Sequence, residues 1–298
     1  MKIIECVPNF SEGRSPETLE ALAMAVSKVA GVKLLDASAD PDHHRCVLTL
    51  IGTPEAIVDG AMAVAREALE RIDMRRHQGV HPRIGAVDVV PFIPFGDAAM
   101  SDAVETAHRF GRRFATETSV PVYFYGEAAI SPKRRLLPYI RRGGYEGLAM
   151  KLQNPHWSPD AGRPVFLERW GATAVGARLP LIAFNINLES TDLDLARKIA
   201  CELRESSGGL PAVQAIGLFL RSQNRVQVSM NITDYRKTSL RSVFDLVATR
   251  ANALGVEIAR SELIGLLPRD AMVDVKPEEL KLKDFSEDRI IESHFSPF

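Results

Sequence analysis

Apolar positions recur along the chain with a period of two in some stretches and of three to four in others, and the order of the two patterns occurs twice. Lys2 to Pro8, KIIECVP, predicts a strand, and Ser15 predicts the N-cap of a helix from Pro16 to Ala30, with proline at its first position and Gly31 closing it. Val32 to Asp36 and Arg45 to Ile51 predict two strands joined by a polar turn at Asp40 to His44. Thr53 then caps a helix starting at Pro54, and Ile84 to Phe92 predicts a fourth strand. This βαββαβ order is that of a ferredoxin-like, split βαβ unit.

The order returns from Leu181. Leu181 to Leu188, Val213 to Leu220, Arg225 to Ile232 and Val256 to Ile264 predict strands, and Asp192 to Ser206 and Ser239 to Leu254 predict helices. Between the repeats, Asp102 to Ala177 predicts a helix after Ser101, a strand VPVYFYG from Val120 to Gly126, and a Pro/Gly-rich stretch from Asn154 to Gly171. The expected fold class is α/β (α+β), with two subdomains, residues 1–178 and 179–298, each a mixed sheet with helices on its outer face.

In AFNINLES, Phe184, Ile186 and Leu188 point one way while Ala183, Asn185, Asn187 and Glu189 point the other. RVQVSMNIT opposes Val226, Val228 and Met230 to Gln227, Ser229 and Asn231 in the same way. Neutral amides suit recognition of a heterocycle, but an ordinary polar outer face reads the same. Glu5 and Asp88 lie inside apolar strands, where a carboxylate needs a partner, and Arg45 can pair with one of them.

The bulk numbers narrow the field. The 298 residues are 46% hydrophobic and 25% charged with a formal net charge of -1, so no global basic field draws the chain to nucleic acid or to an anionic membrane. The third strands, RCVLTLI and RVQVSMNI, lack the aromatics with which RNA-binding sheets stack bases. The N-terminus lacks a signal-peptide core, and the longest apolar runs fall short of the ~20 residues of a membrane span. Cys6, Cys46 and Cys201 form no CxxC and read as buried free thiols in a reducing cytoplasm. No GxxxxGK[ST], GxGxxG or GxSxG motif occurs.

Candidate chemistry concentrates in RRHQGVHPRIGAVDVVPFIP, from Arg75 to Pro94. Gly79 and Pro82 keep His77 and His81 from sharing a helix face as metal ligands do, and the His43, His44, Asp40 and Asp42 turn reads as a solvated one, so no metal is expected. An imidazole with an ordinary pKa of about 6.5 can give and take a proton at neutral pH, which fits His81, with His77 in support. The same local sequence also fits a loop histidine bonded to backbone. The stretch from Asn154 to Arg178 sets both tryptophans and Phe166 among prolines and glycines, which suits either a cleft for an aromatic ligand, with Arg163 or Arg169 meeting a carboxylate, or an interdomain connection.

Four segments then carry a resemblance. ECVPNFSEGR at Glu5 to Arg14, IDMRRHQGVHPRIGAVDVVPFIP at Ile72 to Pro94, VPVYFYGEAA at Val120 to Ala129 and WGATAVGARLPLIAFNINL at Trp170 to Leu188 resemble the formiminotransferase family, whose domain occurs alone or as the front half of a formimidoyltransferase-cyclodeaminase. The resemblance implies a ligand tunnel between two related subdomains, a homodimer, and transfer of the formimino group from N-formimino-L-glutamate to N5 of tetrahydrofolate as co-substrate. It places the family's catalytic histidine on His81 and its folate-binding segment on Gly162, Arg163, Pro164, Val165, Phe166, Leu167, Glu168, Arg169, Trp170 and Gly171. Glu5 and Asp88 are candidates to stabilise a cationic amidine, Arg83 and Arg169 to meet substrate carboxylates, and Asn9, Arg45, Asn185 and Asn187 to lend polar contacts.

His44 departs from the family, which commonly has Asn before Arg45, and with the sequence ending at Phe298 no cyclodeaminase half is expected. A related folate enzyme that handles a formyl group, by transfer or by cyclising 5-formyltetrahydrofolate, is the second reading. A non-catalytic folate or small-molecule binding module is the third, and His81 argues against it.

Overall fold

The computed structural model describes residues 2–273, 275–283 and 285–294. It is a mixed α/β structure of two compact units, Met1–Arg178 and Leu179–Phe298, each with its own sheet. No helix among the described residues is long and apolar enough to cross a membrane.

In the first unit the opening strand is broken into β1 (Lys2–Cys6) and β2 (Asn9–Phe10) around Pro8, whose ring removes a ladder donor. Helix α1 (Pro16–Ser27) starts where Thr18 N donates to Ser15 Oγ at 3.1 Å. The hairpin β3 (Val32–Asp40) and β4 (Arg45–Gly52) turns through His44, which holds a φ of 51°. Helix α2 (Ala56–Arg71), β5 (Val87–Gly96), α3 (Met100–Thr118) and β6 (Val122–Gly126) follow, then the short helices α4 (Leu137–Ile140) and α5 (Leu148–Gln153), and β7 (Thr173–Ala177).

Both halves of the broken strand lie antiparallel between β4 and β5, with β3 outside β4. Beyond β5 the sheet continues through β7 to β6, all parallel. Helices α1, α2 and α3 cover one face over a core that includes Leu22, Ile57, Met62 and Phe110. On the other face, Tyr123, Tyr125 and Val89 pack with Ile140, Leu148 and Leu152.

The second unit runs β8 (Ile182–Leu188), α6 (Leu193–Leu203), β9 (Val213–Leu220), β10 (Arg225–Ile232), α7 (Leu240–Ala253), β11 (Ile258–Ile264). Its strands lie in the order β11-β8-β10-β9, all antiparallel. Phe184, Ile186, Leu188, Val226, Val228 and Met230 enter its hydrophobic core, the side their alternation assigns.

Three details depart from the sequence reading. The fourth strand starts at Val87, not Ile84, because Ile84 to Ala86 bond outside the ladder: Ile84 N donates to Asp88 Oδ1 at 2.8 Å and Ala86 N to Trp170 O at 2.9 Å. Strand β7 was not expected, since TAVGA is short and built of small residues. Cys201 is exposed while Cys6 and Cys46 are buried, because α6 turns Ala196, Ile199, Ala200 and Leu203 inward and Cys201 falls off that stripe.

Candidate active site

The His81-Pro82-Arg83 (HPR) segment is tied down by one buried carboxylate. Asp88, 0% exposed at the second residue of β5, accepts from Ile84 N through Oδ1. Its Oδ2 accepts from Arg45 Nη1 at 2.6 Å and from Arg141 Nη2 at 2.5 Å. Burial alone would raise this carboxyl's pKa, but the two guanidiniums more than offset it and hold it below the usual carboxylate range. Arg45 also donates from Nε to Asn9 Oδ1 at 3.0 Å, while Asn9 Nδ2 donates to Val7 O at 2.7 Å. The expected Arg45–Asp88 pair thus exists, with Asn9 on its flank and a second arginine that the sequence did not announce.

Glu5 sits apart in β1, buried, in register with Ile51 of β4 and Ile93 of β5.

His81 is half-buried and its Nδ1 lies 2.8 Å from Pro82 O. A carbonyl accepts only, so Nδ1 carries the proton and Nε2 keeps its lone pair. Burial first, then the charges of Arg45 and Arg141, hold its pKa well below the ordinary imidazole value, so the ring is neutral at physiological pH. A neutral imidazole with one nitrogen anchored and the other basic can accept a proton and return it.

The other histidines brace this segment. His81 stacks on His43 with ring centroids 5.7 Å apart, and His77 on His44 at 4.2 Å. His77 Nε2 donates to His44 O at 2.8 Å and its Nδ1 accepts from Arg83 Nε at 3.1 Å, a neutral tautomer that burial stabilises by lowering the pKa to about 4. His44 bonds Gln78 O through Nδ1 at 3.0 Å and lies 3.3 Å from Glu12 Oε1. Despite its burial, Glu12 is lowered to about 2 by His44 and by the backbone N–H groups of Arg14 and Ser15. His43 N and Asp42 N both donate to Asp40 Oδ1, at 2.7 and 2.9 Å, which fixes the turn.

Arg83 is engaged. It grips Glu146 with both terminal nitrogens, at 3.0 and 2.6 Å, in addition to His77. Its fork is therefore spent within the protein rather than held open for a carboxylate.

The loop Gly162–Gly171 is stitched to the same segment at its far end. Gly85 and Gly171 form an isolated bridge, and Ala172 N donates to Ile84 O at 3.0 Å. Gly171 takes a φ of +72°, and a Cβ there would sit 2.2 Å from Ile84 O, so this approach requires glycine. Trp170 Nε1 donates to Leu69 O at 2.8 Å and Arg169 Nη2 to Glu70 O at 2.5 Å, which docks the loop on the end of α2. Leu167 and Trp170 pack on the core, Glu168 O accepts from the Tyr145 hydroxyl, and the Phe166 ring lies 5.5 Å from Tyr145. Arg163, Pro164 and Val165 are exposed at its outer turn.

Asn185 and Asn187 belong to the second unit and are both buried. Asn187 Oδ1 accepts from Gln227 Nε2 at 2.8 Å, and its Nδ2 donates to Glu262 Oε1 at 2.9 Å and to Gln223 Oε1 at 3.2 Å. Asn185 lies opposite Ser229 of β10 and Glu262 of β11.

Sequence reasoning missed Arg141, Glu12 and the bracing role of His43 and His44. For Arg141 no local signal exists in LPYIRRGG, because its partner lies 53 positions earlier in the chain.

The chain matches known proteins along nearly its whole length. The family model "Formiminotransferase domain, N-terminal subdomain" matches residues 3–178, and "Formiminotransferase domain" matches residues 183–292. The glutamate formimidoyltransferases of Streptococcus pyogenes and Thermoplasma acidophilum are 40% and 42% identical to it, over 98% of this chain and over 98% and 97% of theirs. The formimidoyltransferase-cyclodeaminase of Gallus gallus is 48% identical over 94% of this chain, which spans 53% of that relative. The chain thus covers about half the length of the relatives of that kind and almost all of the shorter ones. With both halves matched in order, the chain belongs to the formiminotransferase family.

Proposed function

We propose that the protein is a glutamate formimidoyltransferase, which moves the formimino group from N-formimino-L-glutamate to N5 of tetrahydrofolate and yields L-glutamate and 5-formiminotetrahydrofolate. The observation that carries this reading is the end-to-end match to two shorter relatives of that name. The transferred group marks the protein as an enzyme of one-carbon and histidine metabolism. It acts on small molecules, not on nucleic acid or membranes, in the cytoplasm and as a homodimer, with tetrahydrofolate as co-substrate and no metal.

The reaction is a substitution at an amidine carbon. As the new C–N bond forms, the attacking nitrogen must lose a proton, and the α-nitrogen of glutamate must gain one before the old C–N bond breaks. His81 serves both needs: Nε2 accepts the first proton and returns it to the departing nitrogen, while the bond from Nδ1 to Pro82 O holds the ring in place. The Gly162–Gly171 loop supplies the folate-binding surface, with the Phe166 and Tyr145 rings as flat contacts and Arg163 exposed for a carboxylate. Asn9, Arg45 and Asp88 support the site from the sheet of the first unit.

The direct test mixes the purified protein with tetrahydrofolate and formiminoglutamate and follows free glutamate. Release that needs both substrates is expected. No release, with 5-formyltetrahydrofolate consumed in the presence of ATP, would replace this reading with the formyl one.

A further inference from the structure

The Asp88 cluster carries more positive charge than it neutralises. Two guanidiniums, each permanently charged, share one carboxylate oxygen, so a charge of +1 is left over at side chains only 11% (Arg45) and 13% (Arg141) exposed. The other oxygen of Asp88 accepts from Ile84 N, so its single negative charge is shared among three donors and cannot neutralise both cations. Arg45 spends a second donor on Asn9, whereas the Arg141 guanidinium makes a single hydrogen bond among the described residues. Its Nε is buried without an acceptor. A guanidinium offers five donors in a planar fork, and leaving most of them idle where water barely reaches is costly unless an anion completes the shell.

The position of this unfinished fork tells which anion fits. Asp88 ties directly to Ile84, three residues after His81, and Arg83 pairs with Glu146, five residues after Arg141. The Arg141–Glu146 turn therefore lies along the HPR segment. In formiminoglutamate the α-carboxylate sits on the carbon that bears the reacting nitrogen, whereas the γ-carboxylate is two carbons further out. A cation beside the proton-transfer group meets the nearer carboxylate.

We infer that Arg141, backed by Arg45 on the shared Asp88 carboxylate, binds the α-carboxylate of the glutamate leaving group and so positions its nitrogen at His81. The inference rests on the proposed reaction and adds which side chain reads the amino-acid half of the substrate.

The test pairs a substrate change with a residue change. Turnover is compared for formiminoglutamate and for its α-carboxamide analogue, in wild type and in Arg141→Met. Wild type is expected to favour the α-carboxylate in kcat/KM by about 10- to 100-fold, the range of a charge-assisted hydrogen bond. Arg141→Met should lose most of that preference, raising KM for formiminoglutamate with the KM for tetrahydrofolate unchanged. The preference is a ratio within one protein preparation, so partial misfolding of the variant cancels. Arg141→Lys, which keeps the charge but loses the fork, should recover part of it. A preference that survives intact in Arg141→Met, or that wild type never shows, overturns the inference alone. A shift confined to the tetrahydrofolate KM overturns it in favour of a folate carboxylate at the same fork. A wild-type chain that releases neither glutamate from formiminoglutamate nor glutamate α-amide from the analogue overturns the proposed activity and this inference together.

Discussion

Each unit buries polar side chains against its sheet, and the two do so to opposite ends. In the second unit Asn187, Gln227, Gln223 and Glu262 satisfy one another through amide hydrogen bonds of 2.8 to 3.2 Å, and Arg260 closes the set by pairing with Glu262 at 2.6 Å. In the first unit two arginines converge on Asp88, leaving positive charge over and an Nε without an acceptor among the described residues. A completed network spends its capacity on the fold, whereas an incomplete one keeps capacity for something that arrives. The difference separates polar burial that specifies structure from polar burial that awaits a ligand.

The hardest test of this contrast falls on the group next to the incomplete network. His81→Ala should lower kcat by about 10²- to 10⁴-fold, the usual worth of a positioned acid/base, with melting temperature and folate affinity near those of wild type. Normal turnover at saturating substrates would remove His81 from the mechanism. Asp88→Ala should act on stability as well as on turnover. Deleting the carboxylate leaves two buried cations uncompensated and cuts the Ile84 tie, for a loss of about 3–5 kcal/mol in urea unfolding. A loss under ~1 kcal/mol would show that the arginines find solvent without it.

In the second unit Gln227→Leu should cost about 1–3 kcal/mol, because the Oδ1 of Asn187 loses its donor in a site where Gln227 is 0% exposed. The comparison predicts that this variant keeps its kcat while Asp88→Ala does not, even at temperatures where both are folded. A Gln227→Leu enzyme that is fully stable yet inactive would move this face from structure to ligand contact.

Much of this arrangement was legible from the chain. The strands Val213–Leu220 and Arg225–Ile232 fall where the alternation places them, and Ser15, Thr53 and Ser239 each bond the first turn of the helix they precede. Asp88 announced its need for a partner by being a carboxylate in an apolar run, and Arg45 supplied it. Periodicity reports only which face a residue takes, so it was silent where contacts come from far along the chain. Ile84 to Ala86 look like strand yet bond to Asp88 and Trp170, and Arg141 sits in a basic, glycine-rich turn that reads as solvated. Arg83 shows the reverse failure, since an arginine beside the proposed catalytic histidine invited a substrate role that its grip on Glu146 uses up.

The smallest effect separates the two regions most sharply. A base works in its neutral form, so kcat/KM for the proposed transfer should be full at high pH and fall as pH drops through the pKa of His81 in the free protein. An unperturbed imidazole would be half protonated near pH 6.5, costing about half the rate there. Because burial and the two arginines hold His81 well below that value, the rate should stay nearly flat between pH 7.5 and 6.5, where an unperturbed imidazole would lose about 1.8-fold, with the acid limb appearing at lower pH. Arg141→Met removes one of the two cations but not the burial that contributes most, so the limb should move part of the way up toward 6.5. Gln227→Leu alters only the completed network and should leave the limb in place. A limb that stays put in Arg141→Met, or that shifts equally in both variants, would mean that the surplus charge at Asp88 does not act on His81 as the geometry implies.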